Sequence, residues 1–208
     1  MDREEAINKL AKIKLKELSE EERVSQLETL LVENWDSVNE WKKLPKDIKE
    51  EFNSETLNEE PSSDRYDEPL LAWLRDGLKP LTNAYLLKEL NVDSIEGSPA
   101  VMESCPCCGR KTIEHRGDFE ICKICWWEDD GQDNENADEV WAGPNYGVSL
   151  TQARCFFIKI GIYNPAQIGL KEIQDPVDIY PVGRTFELKA GFVLEREKNW
   201  KGEIVLKI

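Results

Sequence analysis

The sequence predicts an α+β protein in three parts: an acidic helical region over residues 1–97, a cysteine module with a following helix over 98–163, and a loop with a small β-sheet over 164–208. Three observations predict this. Apolar residues recur at helical spacing through the first part. Two Cys-x-x-Cys pairs lie close together in the second. Alternating apolar residues broken by turn signals close the chain.

Composition bounds the function. The chain has 208 residues, enough for one or two cores. It carries 27 basic and 42 acidic residues, for a formal charge of −15. Residues 1–104 hold 14 basic and 25 acidic groups, residues 105–148 hold 4 and 10, and residues 149–208 hold 9 and 7. The acidity therefore belongs to the first two parts. Phosphate binding needs clustered Lys and Arg, so direct contact with nucleic acid is not expected. The balance suits solubility, or a basic protein partner drawn in electrostatically. No segment is long and apolar enough to span a bilayer, and the opening Met1–Ala6 lacks the apolar run of a signal peptide. A cytoplasmic protein with no membrane partner is expected. In that reducing setting, paired cysteines read as metal ligands rather than disulfides.

The helices can be placed in order. Ile7, Leu10, Ile13, Leu15 and Leu18 have helical spacing with a break expected near Lys14 or Lys16. Ser19 and Glu22 form a capping box that opens a helix with the stripe Val24, Leu27, Leu30 and Leu31. Trp35, Val38 and Trp41 predict a further short helix, and Pro45 is expected at the first position of the next. Residues 53–64 are polar and turn-rich and are expected to form a mobile loop. Leu70, Leu71, Trp73, Leu74 and Leu78 mark an amphipathic helix, and 84–90 a last short one. Core packing accounts for these apolar positions. Residues 91–104, with Gly97, Ser98 and Pro99, read as a linker.

Cys105, Cys108, Cys122 and Cys125 are expected to hold one zinc ion. Four thiolates close a tetrahedral site and leave no position for water or substrate, so the ion is structural. Cys105-Pro106-Cys107-Cys108-Gly109 fits a zinc knuckle, in which Pro106 fixes one φ and Gly109 tolerates φ > 0. The second pair lacks that glycine. Thirteen residues separate the pairs, fewer than in most ribbons. A short hairpin of 111–115 against 118–121, turning at Arg116-Gly117, would account for the short spacer. Cys107 is a spare thiol. His115, the only histidine, is a rival ligand placed mid-strand and reads as a surface or packing residue. A redox role for the pairs lacks its βαβ setting.

Together, Cys105-Pro-Cys-Cys-Gly, Gly117-Asp-Phe-Glu-Ile-Cys, Cys125-Trp-Trp-Glu-Asp-Asp-Gly, Gly143-Pro-Asn and Gly147-Val-Ser-Leu-Thr-Gln-Ala-Arg resemble the bacterial cysteine-rich CPCC domain family over roughly residues 101–157. The resemblance implies a small zinc-ribbon-like module, of a kind that accompanies immunity proteins of polymorphic toxin systems. The openings Arg3-Glu-Glu-Ala-Ile and Leu18-Ser-Glu-Glu-Glu-Arg resemble helical regions of immunity proteins, including those similar to partners of Rhs-type nuclease effectors.

The extension Trp126-Trp127-Glu128-Asp129-Asp130-Gly131-Gln132-Asp133 sets aromatic area beside carboxylates. One reading is a partner-binding surface formed by Trp126, Trp127, Glu128, Asp129, Asp130 and Asp133. In the other, a Trp roofs the zinc site and the acids form a solvated loop. The run lacks the ligand order of an EF-hand. No nucleophile, base or phosphate loop accompanies the carboxylates, so an enzyme is not expected.

Beyond it, Ser149 and Gln152 form a second capping box for a helix through Ala153, Phe156, Phe157 and Ile160 that stops at Gly161, with Cys155 buried. Residues 164–184 are loop-like. Residues 185–188 and 192–197 read as strands, Trp200–Gly202 as a turn, and 203–208 as a closing strand with Ile204, Leu206 and Ile208 on one face. Two functional readings follow: an immunity protein that neutralises a basic toxin, and, as the alternative, a zinc-ribbon protein of nucleic-acid machinery.

Overall fold

The computed structural model of the chain describes residues 1–32 and 39–204. The fold is α+β and divides into two compact units, Met1–Ser98 and Pro99–Ile208. No helix among the described residues is long and apolar enough to cross a membrane.

The first unit is helical. α1 (Arg3–Glu17) opens on Asp2, whose carboxylate accepts from the Glu5 amide at 2.9 Å. Acidic residues occupy its first turn and lysines its last, matching the helix dipole. The expected break near Lys14 is absent. The buried stripe is Arg3, Ala6, Ile7, Leu10 and Ala11, so the alanines complete a regular period and leave Ile13 and Leu15 half-buried. Arg3 binds the connection at residues 79–83: its guanidinium donates to the carbonyls of Lys79 and Leu81 and to the Asn83 side chain.

α2 (Glu20–Val32) starts at the predicted capping box. The Ser19 amide donates to the Glu22 carboxylate at 2.8 Å, and the Glu22 amide donates to Ser19 Oγ at 3.2 Å. α3 (Asn39–Lys42) contains Trp41 from the expected short helix, while Trp35 and Val38 lie outside the described residues. α4 (Lys46–Asn53) begins one residue later than expected, with Pro45 as its N-cap. α5 (Asp67–Leu78) and α6 (Asn83–Leu90) complete the set, with Thr82 capping α6 and α1 packed against both.

Leu27, Leu30, Trp41, Leu44, Ile48, Phe52, Tyr66 and Leu70 form one apolar cluster. Its aromatic rings meet edge to face: Trp41 and Phe52 at 5.1 Å, Phe52 and Tyr66 at 6.3 Å. The polar run 53–64 is held to this core. Asn58 donates its amide to Glu51 at 3.1 Å, Glu59 donates to the Tyr66 hydroxyl at 2.9 Å, and Arg23 donates to the carbonyls of Pro61 and Ser63. Glu51 is buried and also accepts from Arg65 and Tyr66. Burial opposes its charge, but the Arg65 guanidinium and the Asn58 amide outweigh burial and hold Glu51 at about 2.

The second unit carries the sheets. β1 (Glu103–Ser104) and β2 (Lys111–Ile113) pair antiparallel. This corrects the expected hairpin: 111–113 pairs with the chain before the first knuckle, not with 118–121. Phe119 sits at φ +61°, which excludes a strand there, and the Glu120 carboxylate takes the amides of Glu114 and His115, both at 2.7 Å. α7 (Leu150–Ile160) has the predicted capping box at Ser149 and Gln152 and the left-handed Gly161 at its end. Residues 164–184 contain short 3-10 turns at Pro165–Ile173 and Val177–Ile179.

β3 (Phe186–Lys189), β4 (Phe192–Glu195) and β5 (Trp200–Glu203) form an antiparallel meander with pairs Phe186↔Glu195 and Glu195↔Trp200. Ala190 and Gly191, both left-handed, make the tight β3–β4 turn. The last strand thus begins at Trp200, where a turn is expected from sequence. The turn falls earlier, ending at Asn199 with φ +50°, because the Trp200 indole is anchored to the Asn134 carbonyl at 3.1 Å. Leu206 and Ile208 of the expected face lie outside the described residues.

Two outcomes follow for the helical unit. Phe52→Ala should cost about 3–5 kcal/mol in urea unfolding, because it empties the centre of a ring cluster. Glu51 lies below its ordinary 4.5 when folded, so its stabilisation is present above that value and is lost as pH falls toward about 2. Urea midpoints measured from neutral pH down through this window should fall for the native chain, and Glu51→Gln should reduce that fall. An unchanged pH slope in the variant would show that Glu51 is not responsible.

Candidate metal centre

The sulfurs of Cys105, Cys108, Cys122 and Cys125 are buried and lie within 4.8 Å of one another. Cys105 Sγ is 3.6 Å from Cys125 Sγ, and Cys108 Sγ is 3.6 Å from Cys122 Sγ. Bonds of about 2.3 Å to one tetrahedral ion would put the sulfurs about 3.8 Å apart, so the cage has the size and donor set of a four-thiolate site. The four cysteines are positioned to bind a metal ion, consistent with zinc.

Two matching turns build the cage. In the first, the Cys105 amide donates to the Arg110 carbonyl at 2.8 Å and the Gly109 amide donates to the Cys105 carbonyl at 2.9 Å. In the second, Cys122 donates to Trp127 and Trp126 donates to Cys122, both at 2.9 Å. The fifth residue of each is left-handed: Gly109 at φ +77° and Trp126 at φ +66°. The second knuckle thus lacks the glycine but keeps its backbone. Gly109 has a further reason to lack a side chain. A Cβ there would meet the Arg184 carbonyl oxygen at 2.1 Å, and its own carbonyl accepts from the amides of Gly183 and Arg184, both at 2.9 Å.

The electrostatics call for a cation. Burial pushes the Cys105, Cys108 and Cys125 thiols up. At Cys122 burial is outweighed by hydrogen bonds from the other three thiols and from Thr112, whose hydroxyl donates to Cys122 Sγ at 3.1 Å, and this thiol is brought well down. Four thiolates in one dry cage repel each other unless a positive ion compensates them.

Residues outside the cage hold its walls. Tyr163 donates its amide to the Cys125 carbonyl at 3.1 Å, and Asp175 donates to the Lys123 carbonyl at 3.0 Å. Trp127 is 0% exposed and meets Tyr163 edge to face at 6.0 Å. Arg154 on α7 is also 0% exposed. It donates to the Pro106 carbonyl at 2.8 Å and lies between the rings of Phe186 and Trp200, 4.2 and 4.5 Å away. One side chain thereby ties the first knuckle to β3 and β5. Burial and the nearby Arg184 pull Arg154 down to about 10, so it stays charged at neutral pH.

The acidic extension mostly faces inward. Asp129 is 0% exposed and accepts from Arg116 at 2.6 Å and from the Gly117 amide at 3.0 Å. Asp133 takes Arg184 at 2.7 Å and Arg116 at 3.1 Å, and these cations hold its carboxyl below the ordinary range despite burial. Asp130 accepts from Gln132 and Asn145, both at 3.1 Å, and Asn145 brackets the backbone of Glu128. Trp126, Glu128, Asp130 and Asp133 are half-buried. Trp127 and Asp129 therefore serve the interior, and of the six expected surface residues these two have no outer face to offer. Cys107 and Cys155 are buried outside the four-sulfur cage, and the His115 side chain is exposed, 3.6 Å from Glu120.

Arg154, Arg184 and Glu195 are central here; of these the sequence marks Arg154 alone, as the last residue of the Gly147–Arg154 motif, and assigns no role to any of the three. Arg184 bridges Asp133 and the buried Glu195, with contacts of 2.7 Å to each. A signal existed for Arg154. It stands four residues after Leu150 and three before Phe157, on the apolar stripe of its helix, where a cation must be buried and paired. Arg184 and Glu195 carried no comparable local mark.

Metal analysis of the purified chain should give one ion per molecule. Cys122→Ser should abolish it and unfold the second unit, and Cys107→Ser should keep it; loss of metal in the Cys107 variant would redraw the ligand set. Gly109→Ala should destabilise that unit by about 1–3 kcal/mol in denaturant titration, through overpacking against the Arg184 backbone.

A model of the cysteine-rich CPCC family matches residues 103–178, a span that contains both knuckles, the acidic extension and α7. No curated protein and no solved structure matches the chain. Over residues 103–178 the chain thus carries a cysteine-rich CPCC domain.

Proposed function

We propose that this is a cytoplasmic immunity protein, a binding protein rather than an enzyme, that neutralises a cognate secreted bacterial toxin by covering its basic active-site surface. The toxin class is a nuclease effector. The observation that carries the reading is the charge: −15 overall, with 42 acidic residues against 27 basic. A nuclease active-site face must be cationic to hold phosphates, so an acidic surface is its electrostatic complement. The resemblance of residues 3–7 and 18–23 to immunity-protein helices supports the same reading. In it the metal is zinc and its part is structural, because four thiolates leave no coordination position for a substrate. The partner is the toxin, with no direct nucleic acid and no membrane.

Co-expression with the toxin encoded beside this chain should restore growth, and the two proteins should copurify as a one-to-one complex. Association should slow as salt rises. No complex and no protection would end the proposal. Salt-dependent binding of DNA or RNA by the isolated chain would favour the nucleic-acid reading instead.

A further inference from the structure

The second unit has an open groove of about 730 Å³ away from the sulfur cage. One wall is the loop 138–148, the floor is the first turns of α7, and Glu203 of β5 stands at another side. Its apolar lining includes Val140, Val148 and Phe156. The loop wall also carries Trp141 and Tyr146, between the lining residues Val140 and Gly147, and these are 38% and 71% exposed. A large apolar surface left in water beside a groove marks a place for a partner.

Charge selects the occupant. The ionisable residues lining the groove are Asp138 and Glu203, both exposed, with no Lys, Arg or His among them. From Ile124 to Ala153 the chain has seven acidic residues and no Lys or Arg. An anion is disfavoured even though a helix N-terminus faces the groove, because three amides there already have acceptors. Thr151 donates to the Ala137 carbonyl at 2.8 Å, Gln152 to Ser149 Oγ at 3.2 Å, and Ala153 to the Ser149 carbonyl at 2.8 Å. The Thr151 hydroxyl is directed at Asp138, at 2.6 Å, which fixes that carboxylate on the rim.

We propose that this groove is a docking site for a cationic, partly apolar polypeptide segment of a partner protein. An Arg or Lys stem lies along Phe156, Val140 and Val148, its charged head meets Asp138 and Glu203, and Trp141 and Tyr146 cover the segment from the loop. The proposal deepens the immunity reading by naming the face that meets the toxin, and its test is independent of that reading.

The probe is an acetylated, amidated tetrapeptide of alternating arginine and leucine, titrated into the full metal-loaded chain and followed by amide chemical shifts. Shifts should saturate and centre on Val140, Gly147, Val148 and Gln152. The double variant Asp138→Asn with Glu203→Gln, which keeps the Thr151 acceptor, should weaken binding about tenfold. Trp141→Ala should weaken it too, and the glutamate-for-arginine peptide should not bind. Shifts confined to other acidic surfaces, or none, would overturn the proposal. If the toxin complex fails to form while the peptide maps to the groove, the immunity reading falls and the docking site stands. If the complex forms and Trp141→Ala and the double variant protect as well as the native chain, the site falls and the immunity reading stands.

Discussion

Four buried sulfurs within 4.8 Å of one another set the terms for the second unit. Packed together without a cation they oppose ionisation, and three of the four thiols are pushed up by burial. A divalent ion turns that mutual penalty into four bonds. Metal binding and folding then become one process. The strands beside the knuckles do not replace it. β1 and β2 span two and three residues, and a pair of that size is not independently stable.

The rest of the unit is arranged around the knuckles by buried charge. Arg154 reaches from α7 to the Pro106 carbonyl and is held between Phe186 and Trp200. Arg184 joins Asp133, just after the second knuckle, to Glu195 in β4. Breaking one such pair strands a buried charge, which is more costly than the net worth of the pair. The C-terminal sheet is therefore bound to the cysteine module through ions as well as through apolar contact. This gives the acidic extension a physical role: Asp129 and Asp133 neutralise arginines, while Glu135, Asp138 and Glu139 just beyond it are exposed.

The helices were legible because capping and periodicity are local. Ser19 with Glu22, and Ser149 with Gln152, place two helix starts from four residues each. The four ligands were legible because thiolate spacing is itself the signal. The strand partners were not. Whether 111–113 pairs forward or backward depends on Phe119 adopting φ +61° and on Glu120 capping two amides, and neither choice is written in periodicity. The last strand was misplaced because Trp200 reads as a turn flank until its indole is seen bonded to Asn134, 66 residues earlier. Long-range polar pairs, such as Arg184 with Asp133, share this property: each partner is an ordinary charged residue until the fold brings them together.

The central claim is that one ion, bound by four sulfurs and nothing else, organises the second unit. X-ray absorption at the metal edge of the purified chain tests this most directly. The account predicts a zinc edge with a single shell of four sulfurs at about 2.3 Å. A shell containing nitrogen or oxygen would contradict it, as would a folded second unit with no metal at all.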